Sequence, residues 1–469
     1  MTRVVVIGAY GSAGVAVADA LAGADADLEL TLVDDGEPGG GLCILRGCMP
    51  SKEVLSAAAH RFQARRDHRL VDGPPTVDLE TVVATKDDHI ADFAAHRRKA
   101  VHRLAERSHV EFIHDTATFV DDRTVRVGDR EIDADYVVVA TGSSPAIPDL
   151  PGIETVDYLT SADVLDATSL PDSGIVMGFG YIGLELAPYL AEAGGTDLTV
   201  IEHDARPLDE ADPAFGDELL RIYEDEFGID VLTETTEERL EPTDEGGVRL
   251  HTDRDDEFAT VEADGLFVFT GRQPTVSGLG LDRTRMDPGP GWVRETLQAE
   301  ADDRVFVVGD ANGIEPILHV AKEQGFLAAE NLLAHRNDEP LTAYETLHHH
   351  VVFAGAGVTP YVRVGHSAGT AREAGYDVVT ATREARNDGV FLTKDVPLGL
   401  ASLVVDATDG TVLGYQGLHY HADVMAKTMQ VVVEAEMDVR DIPDRAYHPT
   451  TPEIIDGLIR ETRTQLTAE

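Results

Sequence analysis

The chain has 469 residues, of which 43% are hydrophobic, and a formal net charge of −48 at pH 7. This length predicts two or three domains with substantial cores, and no apolar run is long enough to span a bilayer. The charge disfavours binding to nucleic acid or to an anionic membrane. The carboxylates are spread along the chain and form no acidic tail, which indicates a cytoplasmic protein from a cell rich in salt, where screening tolerates self-repulsion.

The first predicted element is a nucleotide-binding unit. A β-branched run at residues 4–7 predicts a buried parallel strand, and the sequence GAYGSAG leads from it into a helix whose N-terminus can receive a pyrophosphate. The candidate contact residues are Gly8, Gly11, Ser12 and Gly14. Tyr10 either replaces the middle glycine of the usual G-x-G-x-x-G spacing or is inserted, and we favour insertion because its deletion restores GAGSAG. The next strand, residues 28–33, ends at Asp34, an acid placed to hold an adenosine ribose.

Residues 39–52 read GGGLCILRGCMPSK and contain the only two cysteines of the chain, Cys43 and Cys48. Two cysteines are too few for a disulfide framework, and no further Cys or His stands at the spacing of a zinc site. The short separation in a glycine-flanked segment favours a redox pair over two buried thiols that never meet. Pro50 and its neighbours are expected to open a helix whose positive end lies close to Cys48.

The stretch resembles the redox-active segment GGTCxNxGCxPSK of the flavoprotein disulfide reductases, a family that includes dihydrolipoamide dehydrogenase, glutathione reductase and mercuric reductase. The resemblance implies that Cys43 exchanges with the substrate and that Cys48 lies against the flavin of FAD as the charge-transfer thiolate. Exchange needs a thiolate, so nearby positive charge or a helix dipole must lower its pKa.

Residues 53–110 are predicted as helices with a polar interruption at residues 72–75, followed by two strands near residues 111–128. A strand at residues 136–139 then leads into ATG. By resemblance, this segment ends the first flavin-binding block, with Thr141 and Gly142 as cofactor contacts.

A second nucleotide unit begins near residue 174, with a strand at 175–177 and the standard spacing of Gly178, Gly180 and Gly183. Two such units imply two dinucleotides. The strand that follows the helix ends at Glu202, which can bond both ribose hydroxyls and would repel a 2′-phosphate, so NAD is favoured. Arg206 lies close by, which leaves NADP open.

The resemblance assigns roles to further residues. Tyr181 would be the aromatic gate over the flavin, although a packing residue in the glycine loop is the alternative, and Glu185 would pair with Lys52 near the flavin N5. Gly271 and Arg272 would return the chain to the FAD domain, and the second flavin motif would be Gly309 and Asp310, whose carboxylate holds the ribitol hydroxyls. The PILHVA segment with His319 is one residue shorter than in dihydrolipoamide dehydrogenase and leans toward mercuric reductase.

From about residue 341 the pattern predicts alternating strands and one long helix, typical of a dimerisation domain. His348, His349 and His350 are expected in a solvated loop that enters a strand. His419 and His421 are expected on one face of a strand, where the family has a turn that shapes the substrate entrance.

The sequence YHPTTPE resembles the HPTxxE segment of dihydrolipoamide dehydrogenase and glutathione reductase. Imidazole suits proton transfer to and from thiols, and a carboxylate can orient it, which implies that His448 is the base and Glu453 its partner. In the family this histidine reaches the disulfide of the partner subunit. Mercuric reductases lack it and carry a C-terminal cysteine pair, so mercury reduction is the weaker assignment.

We therefore predict an α/β protein with two Rossmann-like domains that bind FAD and NAD(P) and an α+β C-terminal dimerisation domain. The predicted boundaries are 1–149 and 273–338 for the FAD domain, 150–272 for the NAD(P) domain and 339–469 for the interface domain. The leading function is a homodimeric disulfide oxidoreductase most like dihydrolipoamide dehydrogenase, with a 2-oxoacid dehydrogenase complex as a candidate partner. The alternatives are a reductase of bis-γ-glutamylcystine or glutathione disulfide and, more weakly, a mercuric reductase or a non-catalytic flavin sensor. No metal site is predicted.

Overall fold

The computed structural model describes residues 1–345 and 347–467. Its helices are Ser12–Gly23 (α1), Leu42–Leu45 (α2), Cys48–Arg66 (α3), Leu79–Leu104 (α4), Ser161–Leu165 (α5), Tyr181–Tyr189 (α6), Pro213–Phe227 (α7), Leu318–Arg336 (α8), Ala368–Glu373 (α9), Gly389–Thr393 (α10), Ala422–Glu434 (α11) and Glu453–Leu466 (α12). A π-helical turn, Leu190–Gly194, continues α6. In this described part of the chain, every helix is too short or too polar to cross a membrane.

The strands follow in chain order. They are Thr2–Ile7 (β1), Leu28–Asp34 (β2), Val110–His114 (β3), Ala117–Phe119 (β4), Thr124–Val127 (β5), Arg130–Asp133 (β6), Tyr136–Val139 (β7), Ser143–Pro145 (β8), Ser173–Met177 (β9), Asp197–Ile201 (β10), Asp230–Leu232 (β11), Thr236–Pro242 (β12), Val248–Arg254 (β13), Glu257–Ala263 (β14), Gly265–Val268 (β15), Arg272–Pro274 (β16), Gln298–Ala299 (β17), Asp302–Val307 (β18), His349–Val352 (β19), Tyr361–Gly365 (β20), Val378–Glu384 (β21), Gly399–Asp406 (β22) and Val412–His419 (β23).

The chain forms two compact units. The first consists of Met1–Pro50, Ala84–Ala146 and Arg272–Thr346 and is built on a sheet of order β17-β18-β7-β1-β2-β3. Strands β18, β7, β1, β2 and β3 are parallel, and β17 pairs antiparallel with β18. Residues 4–7 of the valine-rich strand β1 and all of β7 are buried, as expected of parallel strands covered on both faces.

The second unit consists of Ser51–Val83, Ile147–Gly271 and Leu347–Glu469. It contains a parallel sheet of order β11-β10-β9-β15, an antiparallel sheet β12-β13-β14 and an antiparallel sheet of order β19-β20-β23-β22-β21. Side chains of the parallel sheet and of the five-stranded sheet share one hydrophobic core, which includes Val176, Phe267, Tyr361 and Leu418. The sequence marks both ends of helix α7, since Pro213 occupies its first position and Gly228 ends it in a left-handed conformation.

The predicted α/β class, with two Rossmann-like units and an α+β C-terminal part, is confirmed. Three local predictions were wrong. Helix α3 begins at Cys48 itself and not at Pro50, residues 110–133 form four strands where two were expected, and the C-terminal part has two long helices, α11 and α12. The predicted domain boundaries stay predictions.

Candidate functional site

Each unit contains a glycine-rich loop that joins a parallel strand to a helix. In the first loop, a Cβ on Gly14 would lie 2.1 Å from the carbonyl oxygen of Gly8. In the second loop, a Cβ on Gly183 would lie 2.3 Å from the carbonyl oxygen of Gly178. Only glycine permits this close approach of strand end and helix start, and it leaves the helix N-terminus open to a phosphate.

The two loops differ by one residue. Gly11 is the N-cap of α1, three residues after Gly8, whereas Gly180 is the N-cap of α6, two residues after Gly178. The same glycine contact therefore closes a longer loop in the first unit, which agrees with an insertion at Tyr10.

Tyr10 is held in place by contacts on several sides. Its backbone N–H donates to Oδ2 of Asp34 at 2.8 Å, and its hydroxyl lies 2.7 Å from Nε2 of His102. The ring occupies the space where a Cβ on Gly39 would be, 2.1 Å from a ring carbon. Burial raises the pKa of Asp34, and the N–H groups of Tyr10 and Gly36 oppose that shift. The structure thus places Asp34 at the end of β2 beside the loop, where its remaining lone pairs could accept ribose hydroxyls.

Cys43 and Cys48 are free thiols on either side of a tight bend. Cys43 lies in the short helix α2 and is half-buried, whereas Cys48 is exposed and starts α3. The bend favours Gly47, since a Cβ there would make a tight contact, 3.1 Å from the Cα of Cys43. The thiol–thiol hydrogen bond with Cys48 and burial raise the pKa of Cys43, and the nearby Arg97 guanidinium opposes them. The two thiols therefore lie close together, and their hydrogen bond and burial both disfavour the thiolate of Cys43.

Lys52 and Glu185 are brought together in the second unit. Nζ of Lys52 lies 2.7 Å from Oε2 and 2.8 Å from Oε1 of Glu185, and 4.4 Å from the centre of the Phe353 ring. The backbone N–H of Phe353 donates to Oε1 of Glu185 at 3.0 Å. The predicted pair is thus held by a third group that sequence reasoning did not identify.

Tyr181, the predicted gate, is exposed at the start of α6 and contacts His350. Its hydroxyl lies 3.4 Å from Nε2 of His350, with the ring centres 5.5 Å apart. His350 is only 8% exposed. The prediction of a solvated loop is therefore wrong for this residue, because β19 carries it inward beside Tyr181 and Tyr361.

The residues predicted around the second flavin motif form one network in the first unit. Ser143 donates from Oγ to Oδ2 of Asp310 at 2.5 Å and accepts at 2.8 Å from Nε of Arg272. Beside it, the hydroxyl of Thr141 is buried and has no hydrogen-bond partner within the described residues. Gly142 has a φ of +72° and open space where a side chain would be. An orphaned hydroxyl next to an open cradle fits a bound ligand such as FAD.

Four further observations concern Arg272, Gln324, His319 and Gly271. Burial lowers the pKa of Arg272, whereas the negative charge of Asp310 acts to raise it. Gln324, which the sequence did not single out, accepts at 2.8 Å from the N–H of Gly309 and so orients the motif from α8. His319 lies half-buried in the first turn of the same helix, and Gly271 has a φ of +95° with open space around it.

Glu202 lies at the end of β10 in the second unit. Burial raises its pKa, and Oε1 accepts from the N–H of Asp204 at 2.9 Å. Arg206, the residue that left NADP open, is engaged elsewhere, with Nε 2.8 Å from Oδ1 of Asp217. The carboxylate is thus placed where the sequence predicts it, and Arg206 is already paired.

His448 and Glu453 lie together. Nδ1 of His448 is 3.0 Å from Oε1 of Glu453, which also accepts from the N–H of Thr450 at 2.9 Å. That N–H bond and His448 lower the pKa of Glu453. With Nδ1 engaged, Nε2 of the exposed imidazole is the nitrogen available for proton transfer.

The prediction that His419 and His421 share a strand face is wrong. His419 is buried in β23, whereas His421 adopts a left-handed conformation, φ +69°, as the N-cap of α11. Nδ1 of His421 lies 3.2 Å from Oγ1 of Thr451, so this turn contacts the segment that carries His448.

One group of potential metal ligands occurs among the described residues, namely Asp67, His68 and Asp395 at the surface of the second unit. Arg69 bonds both carboxylate oxygens of Asp67, and these bonds lower its pKa to about 2. We therefore interpret this group of residues as part of a surface ion-pair cluster around Arg69 and not as a metal site.

Comparison with known proteins identifies the family of the chain. Residues 2–325 match the pyridine nucleotide-disulphide oxidoreductase family, and residues 358–458 match its dimerisation domain. The chain is 31% identical to dihydrolipoyl dehydrogenase 2 of Haloarcula marismortui over 97% of this chain and 95% of that protein. It is 28% identical to a mercuric reductase of Bacillus cereus over 92% of this chain and 67% of that protein. Among solved structures, LpdA from Mycobacterium tuberculosis has a TM-score of 0.83 at 23% identity, covering 98% of this chain and 99% of that one.

Proposed function

Because the chain belongs to the pyridine nucleotide-disulphide oxidoreductase family, whose members use FAD and NAD(P)H, we propose that it moves electrons between NADH and a small dithiol or disulfide through Cys43 and Cys48. FAD, when bound, would carry the electron pair between the nicotinamide and these sulfurs. Its contacts in the first unit would be the Gly8–Gly14 loop, Asp34, Thr141 and Asp310. The match to the dimerisation domain supports a homodimer.

The observation that carries the proposal is the position of the two thiols, with Cys43 in α2 and Cys48 at the start of α3, on either side of the bend at Gly47. In the reducing direction the thiolate of Cys43 attacks the substrate disulfide, which forms a mixed disulfide and releases one thiolate. Cys48 then attacks the sulfur of Cys43, the second substrate thiolate leaves, and the Cys43–Cys48 disulfide forms. The two electrons that reduce the substrate are thus those of the dithiol, which NADH restores.

A proton must move at each thiol step. Cys43 has a raised pKa, so a base is needed to form its thiolate, and each leaving thiolate needs an acid. His448 suits both roles because Glu453 holds its Nδ1 and leaves Nε2 exposed.

Dihydrolipoamide oxidation by NAD is the leading activity, in line with the Haloarcula relative. The runner-up is reduction of a low-molecular-weight disulfide such as bis-γ-glutamylcystine. Mercury reduction is weaker, since His448 is present and Cys43 and Cys48 are the only cysteines. A cytoplasmic location and a 2-oxoacid dehydrogenase complex as partner stay predictions.

The test is a set of steady-state rates with NADH and NADPH against lipoamide, bis-γ-glutamylcystine, glutathione disulfide and mercuric ion. Cys43→Ser should lose disulfide turnover and keep the long-wavelength absorbance of the reduced protein, whereas Cys48→Ser should lose that absorbance. Equal spectra for the two variants would reject the assigned roles. Failure of NADH to reduce the bound FAD would favour the alternative that the protein is a non-catalytic flavin sensor.

A further inference from the structure

The segment that carries His448 has no regular secondary structure of its own. Residues 440–452 form neither a helix nor a strand, and α12 begins directly after them. The His448 side chain is 78% exposed and is held by Glu453, the first residue of α12. A proton-transfer group must stand within hydrogen-bond reach of its target, and a displacement of about 1 Å can slow a reaction roughly 10²-fold. Contacts on either side of His448 therefore have to fix this segment.

Asp456 holds the segment on the N-terminal side of His448. Its Oδ2 accepts from the backbone N–H of Ala446 at 2.6 Å, two residues before His448, and Asp456 is buried. An acid in the first turn of a helix also stabilises the helix dipole, which is the simpler explanation for Asp456 in α12. That explanation requires no buried bond to a residue outside the helix. The bond to Ala446 therefore indicates a second role, which is to anchor the chain just before His448.

His421 holds the segment on the other side. Its Nδ1 lies 3.2 Å from Oγ1 of Thr451, three residues after His448, and Thr451 is buried. His421 is the N-cap of α11 with a φ of +69°, yet among the described residues its side chain makes no capping hydrogen bond to that helix. The Tyr420 ring stacks on the imidazole, with the ring centres 3.8 Å apart. The His421 side chain thus serves the contact with Thr451 and not the helix that it begins.

We infer that His421 and Asp456 are positioning residues for His448, because they fix the backbone on both sides of it. The inference rests on the proposed function and adds two residues to it. Both act through the segment that carries His448 and not on the reacting atoms. Loss of either contact should leave the pair of His448 and Glu453 in the protein but displaced from the place that proton transfer to and from thiols needs.

His421→Gly and His421→Asn separate the hydrogen bond from the backbone conformation. Glycine and asparagine both tolerate a left-handed conformation, and the amide nitrogen of asparagine is bonded to Cγ, as Nδ1 is in histidine. We expect His421→Gly to slow reoxidation of the reduced protein by lipoamide about ten-fold, and His421→Asn to recover most of the rate. Reduction of the bound FAD by NADH should stay unchanged in both variants. Stopped-flow absorbance measures the two half-reactions separately.

Asp456→Ala should slow the same half-reaction by a similar factor. Asp456→Asn keeps an acceptor oxygen for the N–H of Ala446 and should therefore slow it much less. If Asp456 acted only through its charge on the helix dipole, the two variants would be equally slow, which would contradict the inference for this residue.

Thr451→Val tests the partner of His421, because it removes the hydroxyl and keeps the shape of the side chain. It should slow reoxidation as His421→Gly does. The double variant should be no slower than either single variant, since both changes remove the same hydrogen bond. Additive slowing would contradict a shared contact.

Thr462→Val is the matched control for loss of a buried hydroxyl. Thr462 is fully buried in α12, and its hydroxyl donates to the carbonyl oxygens of Leu458 and Ile459 within the same helix. Thr462→Val should lower the melting temperature and leave both half-reactions unchanged.

The outcomes separate the inference from the proposed function. A wild-type protein that reduces neither lipoamide nor any other disulfide would reject the proposed function itself. Wild-type turnover with no slowing in His421→Gly, or with equal slowing in His421→Gly and Thr462→Val, would overturn only the inference. A raised KM for lipoamide with an unchanged kcat in His421→Gly would place His421 in substrate binding and likewise overturn the positioning role.

Discussion

Nζ of Lys52 lies 2.7 Å from Oε2 of Glu185, and this ion pair joins α3 to α6 in the second unit. Further along the same two segments, Arg61 and Arg65 both bond the buried carboxylate of Glu192 in the π-helical turn. Ion pairs therefore hold α3 against α6 at two levels.

The Lys52–Glu185 pair should couple measurably to stability. The side chains are 32% and 16% exposed, so either single change leaves a partly buried charge without its partner. We expect Lys52→Met and Glu185→Gln each to lower the free energy of unfolding by roughly 1–3 kcal/mol, and the double variant to lose less than the sum. A guanidinium titration of the four proteins measures this, and additive losses would contradict it.

The choice of nicotinamide cofactor should depend on Glu202 and on the pairing of Arg206. Glu202→Ala should narrow the gap in kcat/KM between NADH and NADPH, because the 2′-phosphate is then no longer repelled. Asp217→Asn should release Arg206 and improve kcat/KM for NADPH by about five-fold, the equivalent of one exposed charge pair.

Glu262→Gln is the control for that experiment, since Glu262 makes a similar surface pair with Arg249 in the same unit. It removes one acid and should leave the cofactor ratio unchanged. A wild-type protein that already prefers NADPH would refute the role of Glu202.

The active site should be shared between two subunits. The family resemblance implies that His448 reaches the disulfide of the partner subunit. His448→Ala should therefore keep reduction of the bound FAD by NADH and slow disulfide turnover by roughly 10²–10⁴-fold, because proton transfer to thiols is lost. Random mixing of His448→Ala with Cys43→Ser subunits should restore about one quarter of wild-type activity, since half of the dimers regain one complete site of two. Mixed dimers, verified by mass, that stay inactive would exclude a shared site.

Stability should depend on pH through His419. Complete burial lowers the pKa of this imidazole to about 4. Between pH 6.5 and 4, His419 is protonated in the unfolded chain but stays neutral in the folded protein. The free energy of unfolding therefore falls as the pH drops from 6.5 to 4, by about 3 kcal/mol in total. His419→Gln should flatten the profile in this window. A variant whose unfolding free energy keeps the same slope would place the titration on other groups.

Salt should stabilise the protein. The 86 carboxylates repel one another across the folded surface, and this repulsion grows as screening weakens. The melting temperature should therefore fall as KCl is reduced from molar to low concentration. Sucrose at matched osmolality is the control, because it leaves charges unscreened. An unchanged melting temperature would contradict the halophilic interpretation.

The sequence was sufficient for features that depend on local backbone geometry. The contacts of Gly14 with Gly8 and of Gly183 with Gly178 follow from glycine at fixed spacing between a strand and a helix, and so does the bend that pairs Cys43 with Cys48. Such features can be predicted from the sequence because residues that are neighbours in the chain determine them. The alternation of strands and helices predicted the fold class for the same reason.

Only the tertiary structure decided which side chains meet from distant parts of the chain. His350 was predicted to be solvated but lies buried beside Tyr181, 169 residues away, and Arg97 contacts the Tyr10 carbonyl across 87 residues. Ser143 and Asp310 meet across 167 residues. The amino-acid type of a residue specifies its charge and its hydrogen-bonding groups. Its burial, its partners and the direction of its pKa shift depend on how the sheets and helices pack, and the whole chain determines that packing.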